Sequence, residues 1–192
     1  MDAELFVSAY AGHAITLARE RVADVDLLVA VGGDGTLHEV VNGALRSNLP
    51  INEYPVIGVL PYGSANDFAR SAHLTNSIEQ LVGLIQSRSS KRMDLGKIIL
   101  HHTQETCYFV NIAGVGLGPE VVRGMEQSSG VLGAGFNYFV NILKGFLRYV
   151  KKEVQVTSSQ WQWRGRLLQM AVANGRLYLS LADGRVTCWG GK

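Results

Sequence analysis

VAVGGDGTLHEVVNGAL, residues 29–45, sets Gly32, Gly33 and Gly35 around Asp34, between an apolar run and a helical pattern. Upstream, DLLVAV (26–31) is continuous, apolar and of strand length, as expected for a parallel strand buried on both faces. Downstream, Leu37, Val40, Val41, Ala44 and Leu45 recur at i, i+3, i+4, i+7 and i+8, one face of a helix. The order is strand, glycine turn, helix. It returns in VIGVLPYGSANDFAR, residues 56–70, where Asn66 or Asp67 is suited to cap the second helix.

A glycine turn between a parallel strand and a helix aims backbone N–H groups and the positive helix end at one point, which suits a phosphate. Gly32, Gly33 and Gly35 would let the backbone approach the ligand and adopt positive φ. Asp34 would repel a bare phosphate, so its presence points to a bridging divalent cation or a nucleotide hydroxyl. The Thr36 hydroxyl can cap the helix or donate to a phosphate oxygen. The spacing fits neither the Walker loop, whose lysine is missing, nor the dinucleotide GxGxxG fingerprint. Taken alone, GGDG also fits a simple tight turn.

Composition narrows the setting. With 47% apolar and 18% charged residues, the 192-residue chain is globular and long enough for one large or two small domains. A net charge of +2 without runs of like charge gives no steering toward nucleic acid. Cys107 and Cys188 stand far apart, imply no disulfide framework and suit a reducing cytoplasm. No secretory signal is visible at the start, and the apolar stretch 131–150 is interrupted by Asn137, Asn141, Lys144 and Arg148, which makes it a poor membrane span.

Residues 5–7 read as a short strand, 12–22 as a helix and 78–85 as another, so the first part alternates as a parallel α/β layer. After SRSSK (87–91), the segments MDLGKIIL, ETCYFVNIAGVG, KEVQVTSS and GRLLQMAVANG read as strands, with a helix near 136–149. The fold class expected is α/β: an N-terminal parallel-sheet, Rossmann-like domain over 1–90, followed by a mainly antiparallel β domain over 91–192. His101, His102 and Cys107 read as part of a polar hairpin rather than a metal set, and Trp161 and Trp163 as one strand face. Lys144, Arg148, Lys151 and Lys152 form a basic helix side, read as a solvated face.

GGDGTLHEVVNGAL and GVLPYGSANDFAR together resemble the diacylglycerol kinase catalytic domain, of the lipid kinase group that includes sphingosine kinases. MDLGKI, YFVNIAGVGLGPEVV and AVANGR extend the resemblance to roughly residues 5–176. It implies ATP-dependent phosphorylation of a lipid hydroxyl, such as that of diacylglycerol, with Mg²⁺. By position it assigns the nucleotide to Gly32, Gly33, Asp34, Gly35, Thr36, Leu37 and His38, with His38 acting through its backbone. Ser64 stands where the family usually has threonine, and Ser8 occupies a further hydroxyl position. Asn66 and Asp67 flank the same loop, and Asp34 is the metal candidate. The implied partners are ATP and a lipid at the membrane surface, with no nucleic acid. A homodimer is compatible, in a cytoplasmic protein peripheral to the membrane.

Departures from the family pattern set a further expectation. The family's first strand, with its Asn-Pro and Ser-Gly loop, has no counterpart before Leu5. The late Asp-Gly that supplies the family's base is matched only by Asp183-Gly184, which reads as a hairpin turn between LYLSL and RVTCW. The β domain is thus expected to be incomplete, the catalytic residue unassigned, and phosphoryl transfer slow although ATP binds. Two other readings stand beside this one: a kinase of a soluble substrate, like NAD kinase, and a nucleotide-binding module without catalysis.

Overall fold

The computed structural model describes residues 2–116, 152–159, 161–173, 176–181 and 186–190. They fall into two compact units, Met1–Asn111 and Ile112–Lys192. The fold is mixed α/β, with one parallel strand pair and separate antiparallel sheets.

In the first unit, α1 (His13–Arg21), β1 (Leu27–Gly32), α2 (Asp34–Leu45), β2 (Val56–Pro61), α3 (Asp67–Ser71) and α4 (Ile78–Gln86) follow in turn. β1 and β2 pair in parallel, with Leu27 opposite Val56 and Gly32 opposite Pro61. Their register brings the two glycine turns to the same strand ends. The β1 run is not buried on both faces, however: Val31 and Val56 stay about half exposed, while Ala30 faces the core. α4 covers part of the second face, with Leu81 near Gly58 and Leu60 buried, and leaves Val31 and Val56 at its margin.

The core is the seam between α1 and α2. Ala14 and Ala18 meet Leu37, Val40 and Val41 there, over Ala30 of β1. Gly43 is required at the crossing, because a Cβ would overlap the Ile15 carbonyl oxygen and lie 2.9 Å from the Ala18 Cβ. Gly43→Ala should therefore push the helices apart and cost about 1–3 kcal/mol, the usual range for overpacking. A melting temperature equal to wild type would show that the crossing can relax freely.

α4 starts at Ser77, whose hydroxyl accepts from the Gln80 amide at 3.1 Å and donates to Glu79 Oε2 at 2.7 Å. That hydroxyl holds the Glu79 carboxyl below the usual carboxylate range.

Residues 5–7 form no strand. Leu5 and Val7 are 83% and 78% exposed, and among the described residues no neighbouring strand supplies the ladder that extended backbone needs to become one. The first compact unit runs past the composition shift at 87–91 to Asn111. β3 (Gly96–Ile99) and β4 (Thr106–Phe109) make an antiparallel hairpin whose Ile99 faces Thr106, and it belongs to the first unit. Asn42 of α2 explains this, since it bonds the Tyr108 backbone of β4. The change of composition at 87–91 marks a loop within the unit rather than its border.

ETCYFVNIAGVG consequently divides into two strands, because Asn111 ends one unit and Ile112 opens the next. In the second unit, β5 (Ile112–Gly116), β6 (Lys152–Thr157), β7 (Gln162–Ala173), β8 (Arg176–Leu181) and β9 (Val186–Gly190) form one antiparallel sheet. β7 is its spine: β6 and β5 pair with successive stretches of it, and β8 pairs with it from Leu167 to Ala173. Leu167 is fully buried against Val154, Trp163 and Met170. β8 and β9 pair as the expected hairpin, with Ser180 opposite Val186, while the turn bearing Asp183 and Gly184 lies outside the described residues. The helix expected near 136–149, with Lys144 and Arg148, also lies outside them; Lys152 begins β6.

Candidate functional site

The two glycine turns meet back to back. A Cβ on Gly63 would overlap the Gly33 Cα, and one on Gly33 would stand 3.0 Å from the Gly63 Cα. Only glycines allow this approach, and it joins the end of β1 to the end of β2. The Tyr62 amide continues the pairing by donating to the Gly32 carbonyl at 2.8 Å. Gly33 has φ −95°, and neither it nor Gly35 has positive φ. Of the three glycines around Asp34, Gly32 has positive φ, at 158°, as expected from sequence, whereas Gly33 serves close approach and Gly35 shows neither feature. At Gly32 the Thr36 side chain also lies where a Cβ would be.

Asp34 ties the turns together. Its Oδ2 accepts from the Asp67 amide at 3.0 Å and its Oδ1 from the Phe68 amide at 3.1 Å. A carboxylate from the first turn thus caps the second helix, neutralising the positive end of α3. Asn66 occupies the N-cap position of α3 without capping it. Its side chain turns back instead, accepting from the Gly63 amide at 2.9 Å and donating to the Gly63 carbonyl at 2.6 Å. This closes the loop around exposed Ser64. Asp67 pairs with Arg70 on the surface. Gly32, Gly33, Asp34, Asn66 and Phe68 line one small indentation.

Gly33 caps α2 with no side-chain bond, and its carbonyl takes the Leu37 amide at 3.1 Å. The amides of Asp34, Gly35 and Thr36 precede that first helical bond, and no side chain or backbone oxygen among the described residues accepts from them. The Gly35 α-carbon faces open space. Three unengaged N–H groups at the start of a long helix are equipped for an anion.

Leu37 is buried in the core, so only its backbone can serve a ligand. His38 lies one turn along α2 with its ring turned elsewhere: Nε2 is 3.9 Å from Cys107 Sγ, and Nδ1 is 3.4 Å from Asn42 Nδ2. Ser8 lies on the exposed segment before α1, and no hydrogen bond joins it to either glycine turn. That segment is nevertheless anchored to α2. Glu39 Oε1 accepts from the Gly12 amide at 2.9 Å, and Oε2 accepts from the Ala14 amide at 3.2 Å. Glu39 and Asn42 are the positioning residues that sequence reasoning missed. Asn42 carried a signal, a polar residue inside the apolar run 40–45. Glu39 carried none, because its partners lie 25 and 27 residues away.

Among the described residues, no three His, Cys, Asp or Glu side chains gather as a metal set. Asp34 alone stands at the cradle, with both oxygens already accepting amides and a lone pair left on each. That fits a cation delivered mainly by phosphate oxygens, as Mg²⁺ usually is. No helix among the described residues is long and apolar enough to cross a membrane.

Comparison with known proteins gives a consistent result. The profile described as the diacylglycerol kinase catalytic domain matches residues 1–98. A protein named "Probable lipid kinase YegS-like" from Yersinia enterocolitica is 31% identical over 79% of this chain and 49% of its own length. One of the same name from Xanthomonas euvesicatoria is 30% identical over 86% of this chain and 53% of its length. The chain thus spans about half of each. The crystal structure of a diacylglycerol kinase from Bacillus anthracis shares the fold, with a TM-score of 0.59 at 21% identity, covering 92% of this chain and 61% of that one.

Proposed function

The chain belongs to the diacylglycerol kinase catalytic domain family, and on that premise we propose that it takes part in ATP-dependent phosphorylation of a lipid hydroxyl, such as that of diacylglycerol. The observation that carries the nucleotide half is the open first turn of α2, held against the second glycine turn by Asp34. The amides of Asp34, Gly35 and Thr36 bind phosphate oxygens, while the hydroxyls of Thr36, Ser64 and Ser8 donate from the margins. Leu37 and His38 follow in the helix and serve the site through the backbone that carries those amides, not through their side chains. Asn66 shapes the loop, and Asp67 stands at its mouth.

Asp34 would hold Mg²⁺ carried by the nucleotide through the lone pairs left on its carboxylate, and that ion would supply neutralisation of the charge on the phosphates. Phosphoryl transfer needs chiefly such positioning and neutralisation. The γ-phosphoryl group passes to the lipid oxygen as the bond to ADP breaks, and the hydroxyl proton leaves to a base. The lipid enters from a membrane surface, and the protein acts as a peripheral cytoplasmic enzyme.

The test is transfer of label from [γ-³²P]ATP into lipid in mixed micelles containing diacylglycerol. Mg²⁺-dependent labelling of lipid is expected, but far slower than the roughly 1 s⁻¹ ordinary for a kinase. A rate of that order would mean that a residue of this chain serves as the base. ATP binding without labelled lipid would favour the nucleotide-binding module, and label in NAD would favour the soluble-substrate kinase.

A further inference from the structure

The segment that enters α1 contains a feature the phosphate cradle does not use. Tyr10 and His13 stack with ring centroids 4.7 Å apart and planes 12° from parallel. Tyr10 is nonetheless 66% exposed. An aromatic side chain normally gains from burying both faces, and here one face is braced while the other is open.

The brace is rigid. The Ala9 amide donates to His13 Nδ1 at 3.0 Å, which fixes the plane of the ring. The His13 amide closes a turn onto the Tyr10 carbonyl at 3.1 Å. Gly12 supplies the left-handed residue of this turn, at φ 91°. Upstream, the Arg21 guanidinium sits 4.9 Å over the Phe6 ring and holds the segment along α1. A fixed, one-sided aromatic plate of this kind loses little conformational entropy when a flat ligand settles on it.

Its position is set by Glu39, which grips the Gly12 and Ala14 amides from α2. Glu39 lies five residues beyond Asp34, about 7.5 Å along the axis at helical rise. Side chains on a helix lean toward its N-terminus, so the Glu39 carboxylate reaches back in the direction of the open amides. A plate tied to the same helix that opens with the free amides suits the base of a nucleotide whose phosphates sit at that helix start.

We infer that Tyr10, stacked on His13, is the platform for the nucleobase of the bound nucleoside triphosphate. The inference rests on the phosphate-cradle reading above and extends it to the base. Stacking is tolerant of base identity because every base has a π-face. The platform thus supplies affinity, and discrimination between bases comes from elsewhere.

The experiment compares ATP with inorganic tripolyphosphate, both with Mg²⁺, by calorimetry on wild type, Tyr10→Ala and Tyr10→Phe. The exposed position lets both variants fold, which circular dichroism checks. Tyr10→Ala should weaken ATP by about 5- to 30-fold, in the lower part of the range for one base–aromatic stack. Its affinity for tripolyphosphate should not change, and Tyr10→Phe should keep wild-type affinity for ATP. Undiminished ATP binding by Tyr10→Ala, with tripolyphosphate bound normally, overturns the platform and leaves the cradle standing. Equal weakening of both ligands assigns Tyr10 to loop architecture and also overturns it. A wild-type chain that binds neither ligand overturns the cradle and the platform together.

Discussion

Asp34→Ala is expected to lower ATP affinity in Mg²⁺ by at least about 100-fold. Two contributions add. The carboxylate makes two hydrogen bonds to the first amides of α3, and a bond to a charged group is worth about 1.5–3 kcal/mol when well shielded. Asp34 is half-buried, so roughly half of that sum, about 1.5–3 kcal/mol, is a fair share for the clamp. Loss of a carboxylate beside the nucleotide's Mg²⁺ supplies the rest.

Chelation separates the two. Without Mg²⁺, Asp34 repels ATP, so a residue that served only the metal would bind ATP more tightly once removed. A clamp gives the opposite sign, because the two turns drift apart and the open amides lose their fixed geometry. We expect ATP binding in EDTA to fall about tenfold in Asp34→Ala, within the span of the clamp bonds alone. A rise in EDTA would strip Asp34 of its positioning role and leave it a metal ligand alone. Asp34→Asn sharpens the comparison, since its amide oxygen can keep one α3 bond while the charge is gone.

What was legible from sequence divides along a physical line. Period-3.6 burial revealed α2, and the apolar runs revealed β1 and β2, because those signals lie within one element. The glycine turns were legible as turns, but the reason for them was not. Gly33 and Gly63 are small because each occupies the other's space, and no local pattern encodes a contact between segments 30 residues apart. Asn66 illustrates the same limit. Its residue type predicts a cap, yet its side chain closes the preceding loop while Asp34 caps from a distance. Residues 5–7 have strand composition and no strand, because a strand exists only with a partner. Composition shifts at 87–91, whereas the compact unit runs on to Asn111, with the β3–β4 hairpin bonded to a buried asparagine in α2.

That asparagine carries the largest expected effect on stability. Asn42 is 1% exposed, and its amide reads both backbone groups of Tyr108. Nδ2 donates to the Tyr108 carbonyl at 2.8 Å, and Oδ1 accepts from the Tyr108 amide at 2.8 Å. Nδ2 also donates to the His38 carbonyl one turn back, at 2.8 Å. The side chain thus acts as one extra rung for the β4 edge, contributed by a helix. Asn42→Leu nearly conserves volume and removes every one of these bonds. The half-buried Tyr108 N–H would then lose its partner and its C=O would keep only the Cys107 thiol at 3.8 Å, at up to about 1–3 kcal/mol each. Leucine's apolar transfer cannot compensate for them, because the site is surrounded by backbone dipoles. The first unit should lose about 3–5 kcal/mol, and the loss should begin at the hairpin. Amide exchange at Tyr108 reads this directly: its protection should collapse in Asn42→Leu, while amides in β1 lose only what global stability loses. Preserved exchange at Tyr108 would mean that the β4 edge is held by other contacts, and the first unit would then no longer owe its hairpin to α2.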